Sequence, residues 1–254
     1  MPGSLDNKAA LVTGASGGIG RAIASRLADA GATVAVHYNS GEERALETVA
    51  LIERDGGKAF VLQADLRDVG SITSMFGALE DQLARRGHSG LDILVNNAGK
   101  GSGTTIAQVD EALFDLMIDS NIKSTFFVTQ AALKQMPDGG RIINISSVVS
   151  IAAYPGAVAY SLAKAAVNAF TRSLAAELGP RGIAVNALAP GATETALLSP
   201  TLQDPTMVSW IHQATAMGRI GQPEDIAAVA LFLASPEGGW ITGQLLQASG
   251  GMHL

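Results

Sequence analysis

The stretch that decides the fold is Thr13-Gly-Ala-Ser-Gly-Gly-Ile-Gly20, which follows a short apolar strand predicted over Ala9–Thr13. Gly14 permits a tight turn, Gly18 lets a ligand approach the backbone, and Gly20 allows a helix to pack closely on the strand. A helix predicted to start at Gly18 would offer free N–H groups to an anion. The glycine-rich turn is therefore predicted to bind phosphate.

Apolar runs and amphipathic stretches alternate along the rest of the chain. This alternation predicts a parallel sheet covered by helices on both faces. The fold class is therefore α/β, a Rossmann-like doubly wound parallel sheet of about seven strands, with residues 1–254 forming a single domain. The predicted strands are residues 9–13, 33–37, 58–64, 91–96, 141–146, 183–189 and 244–248. The predicted helices are residues 18–30, 42–55, 69–86, 110–117, 122–136, 160–178 and 223–234.

Composition restricts the function classes. The chain has 254 residues, of which 47% are hydrophobic, so a large core is possible. A net charge of −6 argues against a nucleic-acid-binding surface. The chain has no cysteine, which excludes disulfides and thiolate metal sites, and it has no apolar run of membrane-spanning length. We expect a cytoplasmic protein with no nucleic-acid or membrane partner and no metal.

Tyr160 and Lys164 are four residues apart on a predicted helix, and Ser147 precedes them by thirteen residues. Residues at this spacing lie on one face of a helix, so the phenol and the ammonium can point into one cavity. A cation favours the phenolate, so the tyrosine pKa is expected to fall from about 10 toward neutrality. Such a phenol suits general acid/base work on a carbonyl or alcohol oxygen that Ser147 holds.

The glycine-rich turn also allows a different interpretation. Gly14-Ala-Ser16-Gly-Gly18 matches G-x-S-x-G, the nucleophile elbow of serine hydrolases, with His212 or His253 as the base. That elbow normally follows several strands, whereas only thirteen residues precede Gly14. The hydrolase interpretation is therefore a remote alternative.

Taken together, the motifs resemble those of the short-chain dehydrogenase/reductase family over about residues 5–252. The matching positions, in family order, are Thr13–Gly20, Asp65, Asn96-Asn97-Ala98-Gly99, Asn121, Ser147, Tyr160 with Lys164, and Pro190-Gly191. The chain is similar overall to the 3-oxoacyl carrier-protein reductases and to NADP-dependent carbonyl reductases.

The resemblance implies a reversible reduction of a ketone or aldehyde to an alcohol, with hydride from a nicotinamide. Tyr160 would be the general acid/base and Ser147 would orient the carbonyl oxygen, with Ser146 as the less favoured choice. Lys164 would hold the nicotinamide ribose, and Asn121 would help to hold a water that relays protons. The cofactor-binding residues would be Gly14, Ser16, Gly18, Ile19, Gly20, Asp65, Leu66, Asn97, Ala98, Gly99, Tyr160, Lys164, Pro190, Gly191 and Thr193.

The choice between NAD and NADP depends on the residues after the second strand. An NAD enzyme usually carries an acidic residue there, but this chain has His37-Tyr38-Asn39-Ser40. Asn39 and Ser40 could donate hydrogen bonds to a 2′-phosphate. NADP-dependent relatives often carry a basic residue in the glycine turn, where this chain has Gly17. Arg21 could replace it only if its side chain reached the 2′-phosphate. The sequence favours NADP(H) over NAD(H).

Residues 194–219 fall where the family has a mobile substrate lid. This segment carries Leu197, Leu198, Met207, Trp210, Ile211 and Met217, which would either face an apolar or aromatic substrate or pack the lid onto the body. The loop 151–158 is expected to form another wall of the substrate site.

Two alternatives concern the function, and one expectation concerns the assembly. One alternative is a 3-oxoacyl carrier-protein reductase, which needs basic residues to dock an acidic carrier protein. Asp138 lies where such relatives carry basic residues, and Arg181 could supply one basic contact. A sensor that binds NADP without turnover is a remote possibility. A homotetramer is expected because the predicted helices 122–136 and 160–178 would otherwise expose apolar faces.

Overall fold

The structure, a computed structural model, describes residues 3–253. These residues contain one sheet of seven parallel strands in the order β3-β2-β1-β4-β5-β6-β7. The strands are β1 (Ala9–Val12), β2 (Thr33–Tyr38), β3 (Lys58–Gln63), β4 (Ile93–Asn96), β5 (Arg141–Ile145), β6 (Ala184–Pro190) and β7 (Leu245–Ala248). The doubly wound parallel sheet is confirmed.

The helices cover both faces of this sheet. They are α1 (Gly18–Asp29), α2 (Glu42–Arg54), α3 (Val69–Ala84), α4 (Glu111–Ile118), α5 (Ser124–Ala132), α6 (Val158–Leu178), α7 (Ser199–Leu202), α8 (Pro205–Ala214) and α9 (Pro223–Ala234). Among residues 3–253, no helix is both long and apolar enough to cross a membrane.

Two apolar cores, one on each face, fix these helices to the sheet. One core joins α1, α2 and α9 to the strands through side chains such as Ile23, Ile52 and Leu233. The other joins α3, α5 and α6 through side chains such as Phe76 and Leu174. All residues of β1 and β4 are buried, as expected for strands covered on both sides.

The strand order changes direction at β1. β2 and β3 lie on one side of β1, whereas β4 lies on the other. The connections therefore leave the carboxyl ends of β1 and β4 in opposite directions and open a crevice between them. This is the switch point at which ligands bind to open α/β sheets, and it places the glycine-rich turn beside residues 97–99.

The middle of the chain differs from the sequence prediction. The predicted helices 110–117 and 122–136 are joined by a π-helical turn at Asp119–Lys123, and the second helix ends at Ala132. The extra residue in such a turn redirects one side chain, and turns of this kind often mark functional sites. Asn121 lies within this turn and is fully buried.

The segment after β6 also differs. No helix is predicted between residues 178 and 223, but the structure has α7 and α8 there. Asp204 caps α8 by accepting a hydrogen bond from the Thr206 N–H, and Pro205 occupies the first turn. The predicted lid is therefore a helical segment.

Candidate active site

The glycine-rich turn connects β1 to α1 at the switch point. Gly14 and Gly18 have φ values of +64° and +53°, a region that favours glycine. Gly20 has a different reason for lacking a side chain. A Cβ atom there would collide with the Gly14 carbonyl oxygen and would lie 2.5 Å from the Asn97 amide nitrogen. The close approach of helix and strand therefore requires a glycine at position 20.

A side-chain clamp joins this turn to the end of β4. The Thr13 hydroxyl accepts hydrogen bonds of 2.9 Å from the N–H groups of Asn97 and Ala98. The Asn97 amide donates in return to the carbonyls of Thr13, at 2.8 Å, and Gly14, at 3.1 Å. Asn97, predicted to bind cofactor, therefore also fixes the turn. The part played by Thr13 was not predicted.

His37 braces the turn from the opposite side, a role that sequence reasoning missed. The Gly14 N–H can only donate, so Nδ1 accepts from it at 3.0 Å. The Ala64 carbonyl can only accept, so Nε2 carries the proton and donates to it at 3.2 Å. Burial lowers the pKa of His37 from 6.5 to about 4, so the ring is neutral at physiological pH. A buried histidine after a glycine turn gives no distinctive sequence signal.

Arg21 does not reach outward to a 2′-phosphate position. Its guanidinium donates to the Thr48 hydroxyl at 3.0 Å and to the Ser16 carbonyl at 3.1 Å. It also donates to the Arg44 carbonyl and forms an ion pair of 3.2 Å with Glu47. Arg21 therefore joins α1 to α2 through Nε and one terminal nitrogen of its guanidinium.

Ser147, Tyr160 and Lys164 converge as predicted. Ser147 follows β5, while Tyr160 and Lys164 lie one turn apart near the start of α6. The ammonium of Lys164 lies 5.8 Å from the centre of the Tyr160 ring and donates to the Ile145 carbonyl at 2.9 Å. The hydroxyl of Ser146 is buried and donates to Asn168 at 2.6 Å. Ser147, not Ser146, is therefore the serine available to a ligand.

The expected direction of the Tyr160 pKa is wrong for this structure. Burial raises the pKa of the Tyr160 phenol above its usual value of 10.0, and a hydrogen bond with Ser147 opposes this rise. Burial also lowers the pKa of Lys164 from 10.5 to about 8. The expectation rested on the attraction between the two charges and omitted the cost of desolvating each. The phenol is therefore protonated at neutral pH.

Asn121 lies behind Lys164, and within residues 3–253 only the nitrogen of its side-chain amide makes hydrogen bonds. Its amide nitrogen donates to the carbonyls of Lys100 and Met117, each at 3.0 Å. Its buried Oδ1 has no hydrogen-bond partner among the described residues. Gly99 faces this oxygen, because a Cβ there would lie 2.5 Å from Oδ1 and 3.4 Å from the Lys164 ammonium. The bare backbone of Gly99 therefore leaves room between two polar groups.

One cavity of about 750 Å³ joins the glycine turn to these side chains. The loop 151–158 forms part of its wall, as predicted. The predicted site residues that line the cavity are Gly14, Ser16, Gly18, Ile19, Gly20, Asn97, Gly99, Asn121, Ser147, Tyr160, Lys164, Pro190, Gly191 and Thr193. The predicted residues that do not line it are Asn39, Ser40, Asp65, Leu66 and Ala98.

These five residues differ in exposure and in what they contact. Asn39 and Ser40 are exposed at the end of β2. Asp65 is bound by the guanidinium of Arg67, with an ion-pair distance of 2.6 Å, and the hydrogen bond lowers the pKa of Asp65 to about 2. Leu66 is buried, and Ala98 would contact a side chain at Gly14.

An aromatic cluster closes the end of the cavity away from the glycine turn. The ring of Tyr154 lies 5.0 Å from that of His253 and 6.3 Å from that of Trp210, both nearly perpendicular to it. Met207, Ile211 and Leu197 from the lid add apolar surface to the cavity. Met217 is 69% exposed and lies outside it. Tyr154 lies in the predicted wall loop, but its contact with His253 was not predicted, because the two residues are about a hundred positions apart in sequence.

The serine hydrolase interpretation is wrong. The His37 ring, which is near Gly14, is engaged by the turn and by Ala64. His253 packs against Tyr154, and His212 lies in a separate surface depression with Leu202 and Val208. Neither proposed histidine pairs with Ser16.

The fold and the site together define an oxidoreductase with a Rossmann-like fold, a conclusion that similarity to known proteins supports.

Residues 14–253 match the family described as enoyl-(acyl carrier protein) reductase. An uncharacterized oxidoreductase of Methylorubrum extorquens is 42% identical over 98% of this chain and 99% of its own. The 3-oxoacyl-[acyl-carrier-protein] reductase of Staphylococcus aureus is 40% identical over 97% of this chain and 98% of its own. The crystal structure of the angucycline C-6 ketoreductase LanV with bound NADP has a TM-score of 0.94 and 45% identity, over 99% of this chain and 97% of that one.

The chain therefore belongs to the short-chain dehydrogenase/reductase family and is an oxidoreductase of that type.

The gap at Gly99 gives a first testable prediction. Gly99→Ala should lower kcat by roughly 10- to 100-fold, because its methyl group would displace Asn121 or Lys164 by a fraction of an ångström or more. Steady-state turnover and the melting temperature would be measured together. Gly77→Ala, on an exposed part of α3 where an added Cβ meets nothing within 4 Å, is the control. Full activity in Gly99→Ala would show that the gap is not needed.

Proposed function

We propose that this protein is an NADP(H)-dependent reductase that converts a ketone on an apolar or aromatic skeleton to an alcohol. The observation that carries the proposal is the single cavity that joins Ser147, Tyr160 and Lys164 to the glycine turn. A hydride donor held at one part of this cavity and a carbonyl held at the other would meet at Tyr160. Aldehydes could use the same chemistry.

The residues present fit a nicotinamide dinucleotide. The turn brings bare glycines to the N-terminus of α1, where backbone N–H groups attract a diphosphate. Lys164 and Tyr160 would hold the nicotinamide ribose, and Pro190, Gly191 and Thr193 would lie beside the ring. When bound, the nicotinamide supplies the hydride. Binding of NADP by the similar ketoreductase LanV supports this assignment.

The protonation states suit reduction. Ser147 would donate a hydrogen bond to the carbonyl oxygen and hold it near the Tyr160 hydroxyl. As the carbonyl carbon gains a hydride, the Tyr160 hydroxyl gives its proton to the oxygen, and the product is an alcohol. The ammonium of Lys164 would stabilise the phenolate that remains. Asn121 would help to hold a water through which the phenolate regains a proton.

The electrostatics around the second strand support NADP over NAD. No carboxylate stands at Tyr38, Asn39 or Ser40, where an acidic side chain would repel a 2′-phosphate. The nearby carboxylate of Asp65 is neutralised by Arg67. Asn39 and Ser40 are exposed and available as donors.

The wall of the cavity supports an aromatic or apolar ketone as substrate. Trp210 and Tyr154 line the cavity and pack against the His253 ring, and such aromatic surfaces bind aromatic ligands well. LanV, which has a similar structure, is an angucycline ketoreductase. Both observations favour a ring-bearing ketone over a small hydrophilic one.

A 3-oxoacyl carrier-protein reductase is the second candidate, supported by 40% identity to the Staphylococcus aureus enzyme. An acidic carrier protein needs basic side chains at the mouth of the site. Arg181 is the basic residue proposed for this role, but it donates to Asp138 at 2.9 Å and to the Met136 carbonyl. Because its charge is already paired, this candidate is less favoured.

Loss of NADPH absorbance with a panel of substrates tests the proposed function. We expect 1-tetralone to be reduced with NADPH, more slowly with NADH, and an acetoacetyl thioester to be reduced poorly. Tyr160→Phe should lower kcat by about 10²- to 10⁴-fold and leave NADPH binding intact. Preference for the thioester would favour the carrier-protein candidate. NADPH binding without turnover of any carbonyl would indicate a sensor, and full activity in Tyr160→Phe would refute the mechanism.

The pH dependence follows from the two pKa shifts. Burial lowers the pKa of Lys164 to about 8 and raises that of Tyr160, so the working pair is ammonium and phenol below pH 8. As the pH rises through 8, Lys164 loses its proton, and kcat/KM for ketone reduction should fall by up to tenfold per pH unit. A decline centred near pH 6.5 would instead indicate that Tyr160 ionises near neutrality. The profile would be measured at constant ionic strength.

We also propose a homotetramer, while the cytoplasmic location stays a prediction. Exposed apolar side chains on α5 and α6 support assembly, because Phe126 is 46% exposed and Leu162 is 50% exposed. Light scattering should give about four times the chain mass of 26.0 kDa. Leu162→Glu should lower this mass, whereas Leu46→Glu, at an exposed apolar position on α2, should not. A monomer in the unmodified protein would contradict the proposal.

A further inference from the structure

Two arginines lie near the mouth of the nucleotide part of the cavity, and they differ in what they bind. Arg21 donates through Nε to the Thr48 hydroxyl, and one terminal nitrogen donates to the carbonyls of Ser16 and Arg44 and to the carboxylate of Glu47. Arg44, on the first turn of α2, lines the cavity together with Ser16 and Gly17. Within residues 3–253, its guanidinium has no hydrogen bond and no ion pair.

The position of the Arg44 side chain depends on Gly41. A Cβ at Gly41 would lie 2.8 Å from one terminal nitrogen of the guanidinium and 3.2 Å from Nε. The side chain therefore folds back along the start of α2, toward the end of β2, while the residue stays exposed to solvent. This places a free cation beside Asn39 and Ser40, the residues that could donate hydrogen bonds to a phosphate.

The surrounding carboxylates do not cancel this charge. Glu47 is paired with Arg21, and Asp65 is paired with Arg67. Glu42 and Glu43 precede Arg44 by two residues and one residue, spacings at which helix side chains do not face one another. Glu43 is exposed on the first turn of α2. Arg44 is thus the cation on this rim whose planar fork is free to take an anion bidentately.

We infer that Arg44 is the residue that selects NADP over NAD, by binding the 2′-phosphate of the adenosine ribose with its guanidinium. This inference rests on the proposed function and names the group that carries its cofactor preference. It replaces the role that sequence reasoning considered for Arg21. It also makes Asn39 and Ser40 secondary donors to the same phosphate.

The test compares two ligands that differ by one phosphate group and needs no turnover. Adenosine 2′,5′-bisphosphate and adenosine 5′-monophosphate would be titrated into the protein by calorimetry. Arg44→Ala should lower the affinity for the bisphosphate by about 10- to 100-fold, the effect expected from the loss of charge-assisted hydrogen bonds. The affinity for the monophosphate should not change. Arg44→Lys should be intermediate, because it keeps the charge and loses the fork. Arg54→Ala, on the far end of the same helix, should change neither affinity.

A second variant distinguishes a lost phosphate contact from a disturbed fold. Gly17 lines the same cavity, has an extended backbone with φ of 178°, and an added Cβ there would meet nothing within 4 Å. Gly17→Arg in the Arg44→Ala background should therefore restore part of the bisphosphate affinity. It should also restore part of the kcat/KM ratio for NADPH over NADH.

The outcomes separate this inference from the proposed function. If Arg44→Ala lowers the affinity for both ligands equally, or lowers neither affinity, the inference is overturned. If Arg44→Ala weakens the bisphosphate alone but the unmodified protein reduces no ketone, the inference stands and the proposed reaction fails. If the unmodified protein binds both ligands equally, the preference for NADP itself is wrong, and the inference fails with it.

Discussion

The hydrogen bonds between Thr13 and Asn97 are the constraint on which the rest of the site depends. They join the carboxyl ends of β1 and β4, which are the neighbouring strands where the sheet changes direction. Backbone carbonyls that leave a strand must find donors elsewhere when they are withdrawn from water. Asn97 supplies two such donors, to Thr13 and Gly14, and its position requires that Gly20 have no side chain. With His37 holding the Gly14 N–H from the other side, the turn has its shape before any anion arrives.

A second buried polar network fixes the other half of the site. Asn96 donates to Asn144, and Asn144 donates to Thr171 on α6, so β4, β5 and α6 are joined inside the core. Closer to the cavity, Asn168 accepts from Ser146 and donates to Ser150, whose hydroxyl donates to the Ser147 carbonyl at 2.6 Å. Buried polar groups cost free energy unless each finds a partner, and satisfied networks define one arrangement. Ser147 is therefore held opposite Tyr160 by hydrogen bonds as well as by apolar packing.

The sequence predicted most of the fold because the alternation of strands and helices is a local signal. The spacing of Tyr160 and Lys164 was also sufficient to place both on one face of α6, since helix geometry fixes that relation. The π-helical turn at Asn121 was not predictable, because it depends on how α4 and α5 pack and not on a residue pattern. The contact of Tyr154 with His253 joins distant parts of the chain, and the brace at His37 depends on burial. Packing and desolvation, not propensity, determine these features.

Desolvation also explains why sequence reasoning gave the wrong direction for Tyr160. An ammonium four residues away attracts the phenolate, but both charges must leave water to meet, and burial disfavours each charged form. The shifts have the same cause and opposite signs, upward for the acid and downward for the base. The protein therefore holds a protonated phenol beside an ammonium that burial has weakened. A phenol in this state can give a proton to a carbonyl oxygen but cannot accept one from an alcohol until it ionises. In the proposed reaction, this protonation state suits proton donation by Tyr160 in the reductive direction near neutral pH.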